Sequence, residues 1–232
     1  ETDLLEYGDI FDGSAEIAKK VEALKAETLA EMQRIADMGG AVAALYLENA
    51  GSNSPYRKVV LSSPMLKVAY PKGYSENSVI AETFFACLAP VIPGLHCDDF
   101  APGKGPYLPE KSLFPANPFT HSEARFALKK EIFSRFPELV AGGPTVRWVR
   151  QAALADKRIR NSCNTARINA SILLLQAAND TIVDNSGQDE FCSSTRNCEL
   201  HKIAGANHEL LMESDSIRDG VLTQVSRFLG AK

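Results

Sequence analysis

At 232 residues the chain has room for one large domain or two small ones, and a chain of this size buries roughly 70% of its extended surface on folding. Its 45% hydrophobic and 23% charged residues are those of an ordinary globular protein, and a net charge of -4 leaves no broad basic face, which argues against nucleic-acid binding. Apolar runs fall far short of the ~20 residues that span a bilayer, and residues 1–13 are acidic where a signal peptide would be basic and then apolar.

The segment from Ser14 to Glu48 reads as helix. Ile17, Val21, Leu24, Met32, Ile35, Met38, Val42 and Leu45 keep close to the spacing of one apolar face, and AEIAKKVEALKAETLAEMQR is rich in strong helix formers. Gly39 and Gly40 interrupt it, which favours two helical pieces meeting there over one long helix. After the turn at Gly51 to Pro55, KVVLSSP (Lys58 to Pro64) is a short β-branched run of the kind buried in a parallel sheet.

Residues 65–164 differ in kind. They are rich in proline and glycine up to about Pro118, then helical through SEARFALKKEIFSRFPEL and GPTVRWVRQAALADKRI, and they read as an insertion over the carboxyl edge of a sheet. The stripe around Trp148 fits a lid helix touching lipid and an ordinary packed helix equally well. SILLLQA (Ser171 to Ala177) and CELHKIAG (Cys198 to Gly205) are the other strands, with a turn and short helix between them and a last helix from about Ile217 to Leu229. Strand, helix, strand, helix is a parallel unit. The expected divisions are therefore 1–64, an N-terminal helical segment and first strand; 65–164, a lid; and 165–232, a C-terminal α/β part.

Five cysteines, Cys87, Cys97, Cys163, Cys192 and Cys198, are odd in number and widely spaced, with no CxxC pair to suggest zinc or redox chemistry. They read as buried or idle thiols in a reducing, cytoplasmic compartment, with a Cys192–Cys198 bridge as the lesser alternative.

Several runs together carry a likeness: MGGAVAALYLEN, VVLSSPML, APGKGPY, THSEARF, GGPTVRWVRQA, LLLQAANDTIVDN, QDEFC and GANHELLMESDSIRD. In order and spacing they resemble the lysophospholipase L2 group, in the monoacylglycerol lipase branch of the α/β-hydrolases, from about Asp37 to the C-terminus. The resemblance implies an α/β-hydrolase-like fold, with a mainly parallel sheet reduced at its N-terminal side and an inserted helical lid. It implies a carboxylic ester hydrolase acting on lysophospholipid or monoacylglycerol, needing no metal or organic cofactor, with peripheral membrane contact through the lid. Asp180 takes the place of the triad acid and His208 that of the base, while Asp184 competes for the acid role from the same loop. Met38 would follow the nucleophile and offer its backbone N–H to an oxyanion.

The departures are as specific. Relatives carry serine before the MGG run, and here Asp37 stands there, with Ile35 where a tight elbow wants a small residue. An aspartate can attack as a carboxylate and form an ester intermediate; the bland reading is a helix-end aspartate in a catalytically inactive scaffold or apolar-ligand binder. Ser62 and Ser63, before Pro64, have no catalytic counterpart in relatives. His121 and Arg125 either orient a phosphate or glycerol group or simply pack beside a Ser122 helix cap, Glu209, Glu213 and Asp215 read as cap and solvent charges, and His96 and His201 receive no role. Residues 1–36 match nothing in that family, and their Ala, Glu, Lys and Leu pattern suits either a designed helix or a natural truncation. Three parallel strands also leave an edge open to self-association.

Overall fold

The computed structural model describes residues 39–88 and 96–230. Asp37, Met38 and the first helical piece lie outside them, as does the elbow question. The second piece is present as α1, residues 39–50. Next come β1 (Lys58–Ser62), α2 (Glu76–Leu88), α3 (Glu123–Arg135), α4 (Val146–Ile159) and a short α5 (Ser162–Thr165). The chain finishes with β2 (Ser171–Ala177), α6 (Asn185–Ser194), β3 (Cys198–Ile203) and α7 (Asp215–Leu229).

The strands form one parallel sheet in the order β1-β2-β3, with Val60 opposite Leu173 and Leu174 opposite Leu200. β2 is central, and its residues from Ile172 to Ala177 are all buried, which is why this strand is a continuous apolar run. Successive side chains point to opposite faces. Ile172 and Leu174 join Leu61, Ala41, Ala44, Leu47 and Phe191, so α1 and α6 cover that face. Leu173 and Leu175 join Ile203, Leu210 and Val221, with Val225 and Phe228 alongside, so α7 covers the other. Each buried leucine or isoleucine contributes about 1.5–3 kcal/mol, and together these two layers hold the strand ends that carry the site.

Close backbone approach fixes two junctions. A Cβ on Gly40 would stand 2.3 Å from the Pro64 Cβ, so α1 seats directly on the residue that ends the first strand run. Ser63 has φ 41°, a left-handed turn uncommon for a side-chain-bearing residue, and its N–H donates to the Leu175 carbonyl at 2.8 Å.

Two sequence expectations need correction. Helix α2 lies inside the stretch read only as Pro/Gly-rich; Ser75 and Ser78 exchange hydrogen bonds at its start, and it packs on α4. Four of the five cysteines are bridged, Cys87–Cys97 and Cys192–Cys198, with Cα separations of 4.6 and 5.2 Å, and Cys163 is a free, exposed thiol. The spacing rule sought zinc-like pairs, whereas each bridge is set by a helix end meeting the chain that follows it. The idle-thiol reading fails for Cys87 and Cys97, whose bridge was not expected, whereas for Cys192 and Cys198 the alternative of a bridge holds.

Candidate active site

The carboxyl ends of β2 and β3 place the two predicted residues together. After β2 the chain turns through Ala178 and Asn179, whose N–H groups donate to Ile203 and Ala206 carbonyls at 3.1 and 3.0 Å. After β3 it turns at Gly205, whose φ of 72° is a backbone state glycine reaches without strain. The acid loop and the histidine loop are thus stitched to each other before any side chain is considered.

Asp180 Oδ2 lies 2.6 Å from His208 Nδ1, with side chains 0% and 2% exposed. Asp180 Oδ1 accepts N–H bonds from Ile182 at 2.8 Å and Val183 at 3.2 Å, so the carboxylate is aimed by its own loop. A carboxylate only accepts, which puts the proton on Nδ1 and makes Nε2 the basic ring nitrogen. This is the arrangement by which a buried acid fixes the tautomer of a general base.

Asp184, the competing acid, is engaged elsewhere. It caps α6 by accepting the Ser186 N–H at 2.9 Å and pairs with Lys67 at 2.9 Å. Partial burial raises its carboxyl, and the Ser186 and Lys67 bonds outweigh that, holding it below the ordinary aspartate value. Ser63 is buried at the end of the first strand run, and among the described residues its hydroxyl has no partner.

Residues 118–129 close against the histidine loop. The Glu209 N–H donates to the Phe119 carbonyl at 2.9 Å, and Lys129 Nζ meets Glu209 at 2.5 Å while lying 4.3 Å from the centre of the Phe119 ring. Ser122 caps α3, accepting the Arg125 N–H at 3.3 Å. His121 Nδ1 sits 2.8 Å from Glu213, and Arg125 bonds the Glu213 carbonyl and Asp215. The packing reading of His121 and Arg125 accounts for these contacts. Of the three acidic residues expected as cap and solvent charges, Glu213 is a fully buried acceptor and Glu209 a largely buried partner of Lys129, and only Asp215 is solvent-exposed. Two of the four donors to Glu213 come from His121, 92 positions away, and two from nearby Asn207 and Ser214, so local pattern shows only half of its environment.

Other candidates stand apart. His201 Nδ1 meets Gln224 at 2.7 Å in a cleft also lined by Arg227 and by Lys58 and Ser171, the first residues of β1 and β2, away from the carboxyl ends that carry Asp180. Thr145 caps α4 by accepting the Trp148 N–H at 3.2 Å. Among the described residues no group of three or more His, Cys, Asp or Glu is placed to hold a metal ion, and no helix is long and apolar enough to cross a membrane.

A family profile described as serine aminopeptidase, S33, matches residues 36–215. The chain belongs to this hydrolase family. Among S33 relatives, a probable lysophospholipase L2 from Haemophilus influenzae is 29% identical over 227 residues, covering 98% of this chain and 68% of that protein. A crystallised soluble variant of monoglyceride lipase from Saccharomyces cerevisiae superposes with a TM-score of 0.58 at 17% identity, covering 84% of this chain and 62% of that one. That likeness shows the α/β-hydrolase fold. The chain therefore spans about two thirds of the length of these two proteins. A 45-residue stretch is also 67% identical to ethylmalonyl-CoA mutase from Methylorubrum extorquens, 19% of this chain and 6% of the mutase. So small a share of the mutase carries no argument about activity.

Proposed function

We infer that the chain is a hydrolase of lipid carboxylic esters, of lysophospholipid or monoacylglycerol type, with His208 as general base and Asp180 as the acid that orients it. The observation that carries this reading is the buried 2.6 Å contact between them, made at the carboxyl edge of a parallel sheet by the loops after two successive strands. A carboxylate nucleophile brings no proton, so the leaving alkoxide takes one from solvent; His208 Nε2 then takes a proton from the water that resolves the acyl-enzyme, and Asp180 stabilises the imidazolium until that proton passes to solvent. Asp37 occupies the nucleophile position, where its carboxylate would form an acyl-enzyme anhydride that water resolves, and the Met38 N–H would face the oxyanion. Residues 65–164 form the lid, between an N-terminal segment (1–64) and the C-terminal α/β part (165–232). The relatives' printed activities support the lipid ester class.

The Asp37 replacement favours a second reading. An inactive hydrolase-fold binder would keep the lid and the acid–base pair without a nucleophile. β1 is an edge strand among the described residues, which leaves it open to self-association in either case.

Ester hydrolysis decides between the two readings, measured with a short p-nitrophenyl ester and with lysophosphatidylcholine beside His208→Ala, Asp180→Asn and Asp37→Ser. Turnover by the parent that falls by about 100-fold or more in His208→Ala and Asp180→Asn is the expected result. An inert parent that Asp37→Ser does not activate sinks the hydrolase reading in favour of the binder.

A further inference from the structure

Glu213 poses a problem that packing does not answer. Its side chain is 0% exposed, and a buried carboxylate is costly unless its lone pairs are met. Here they are: Oε1 accepts from the Asn207 N–H at 2.7 Å and stands 2.8 Å from His121 Nδ1. Oε2 accepts from the N–H groups of His121 at 2.9 Å and Ser214 at 3.0 Å. Burial raises this carboxyl, yet the backbone donors of Asn207, His121 and Ser214, helped by the His121 ring, hold it below the ordinary glutamate value.

The four donors come from two separate pieces of chain. His121 belongs to the segment that leads into α3, whereas Asn207 and Ser214 bracket the loop that carries His208. The same two pieces are joined again by Thr120 Oγ1 on the Met212 carbonyl at 2.5 Å, by Glu209 and Phe119, and by Lys129 and Glu209. If cohesion were all that was needed, apolar contacts at this junction would serve as well or better, because buried charges are often replaceable by hydrophobic groups at no loss of stability. A charged acceptor instead fixes direction: it holds particular N–H vectors, and one of them belongs to the residue directly before His208.

We propose that Glu213 is a positioning residue, which through the Asn207 amide and the His121 ring sets the His208 loop in register with residues 118–129, so that the base and that segment move as one unit. The inference rests on the reading of His208 and Asp180 as an acid–base pair and adds a residue that reading does not contain.

Nuclear magnetic resonance on the full chain tests it without requiring turnover. In the parent, the His208 Nδ1–H bonded to Asp180 gives a far-downfield ring-proton signal that Asp180→Asn abolishes. Glu213→Gln keeps the shape and removes the charge; it is expected to speed amide exchange at Asn207 and His208 by about tenfold or more and to shift or broaden the ring signal, with a cooperative melt retained. Arg160→Met is the control, since it breaks ion pairs with buried Asp156 at 2.6 Å and with Glu190 at 2.9 Å, away from the histidine loop. It is expected to leave both signals in place. Unchanged signals in Glu213→Gln, faster exchange at Asn207 with no change at His208, or equal changes in Arg160→Met would each overturn the proposal. If Glu213→Gln does not fold, His121→Phe removes the ring bond and is judged by the same two signals in the same direction. A parent without the downfield signal overturns the acid–base pair, and the amide exchange rates then still decide for or against Glu213.

Discussion

Replacing Glu48 by glutamine is expected to stabilise the protein by an amount that grows as pH rises above about 4.5 and is full by about pH 7. Glu48 lies near the end of α1, is 1% exposed, and neither carboxylate oxygen has a hydrogen-bond partner among the described residues. Burial raises its carboxyl from 4.5 to about 7, while the positive charges of Arg158 and Arg167 pull it part of the way back. Between those two values the folded chain holds a proton that the unfolded chain has released, so stability declines as pH rises through that window. At about 1.36 kcal/mol per pH unit, the full loss is about 3 kcal/mol, complete above pH 7 and absent below 4.5. Glutamine cannot ionise and so escapes it. Urea unfolding of parent and Glu48→Gln at pH 5 and pH 8.5 reads the difference directly. The two should agree within about 1 kcal/mol at pH 5 and separate by about 2–3 kcal/mol at pH 8.5, or about 6–10 °C in melting temperature for a chain this size. Parallel stabilities from pH 5 to 8.5 would refute the reasoning, since they would mean that Glu48 ionises in the folded state as easily as in the unfolded one.

Gly40→Ala is expected to destabilise by about 1–3 kcal/mol in a chemical denaturation series, because the new methyl meets the Pro64 Cβ at 2.3 Å and the Pro64 Cα at 2.8 Å, where neither neighbour is a flexible chain end. Thiol titration of the unreduced, denatured protein should find one reactive thiol, Cys163, rising to five after reduction. The bridges close loops with sequence separations of 10 and 6, and their reduction should cost about 2–3 kcal/mol each; finding five thiols before reduction refutes both bridges.

The secondary structure near the site was legible because its signals are local. SILLLQA reads as a buried strand and is one, from Ser171 to Ala177, since a strand covered on both faces has no room for polar residues. The LLLQAAND and GANHE runs indicate Asp180 and His208 through their family resemblance, and the fold brings the two to 2.6 Å. Helix α2 escaped because its apolar residues do not settle on one face and prolines surround it on both sides. The N-terminal half of the proposed chemistry, Asp37 and Met38, lies outside the described residues.

Periodicity and the β-branched runs by themselves determined the three strands and the terminal helix, and the family resemblance of the sequence singled out Asp180 and His208 and the hydrolase-like fold. Only the tertiary structure decided which of two nearby aspartates meets the imidazole: Asp180 faces His208, whereas Asp184 is taken up by the start of α6 and Lys67. It also decided that Glu48 is buried without a partner among the described residues and that Glu213 is buried with four donors, two carboxylates that look alike along the chain. The reason is one of range. Helix and strand patterns are set by neighbours a few positions away, but the desolvation of a charge and the donors that answer it come from whatever segments the folded chain brings alongside.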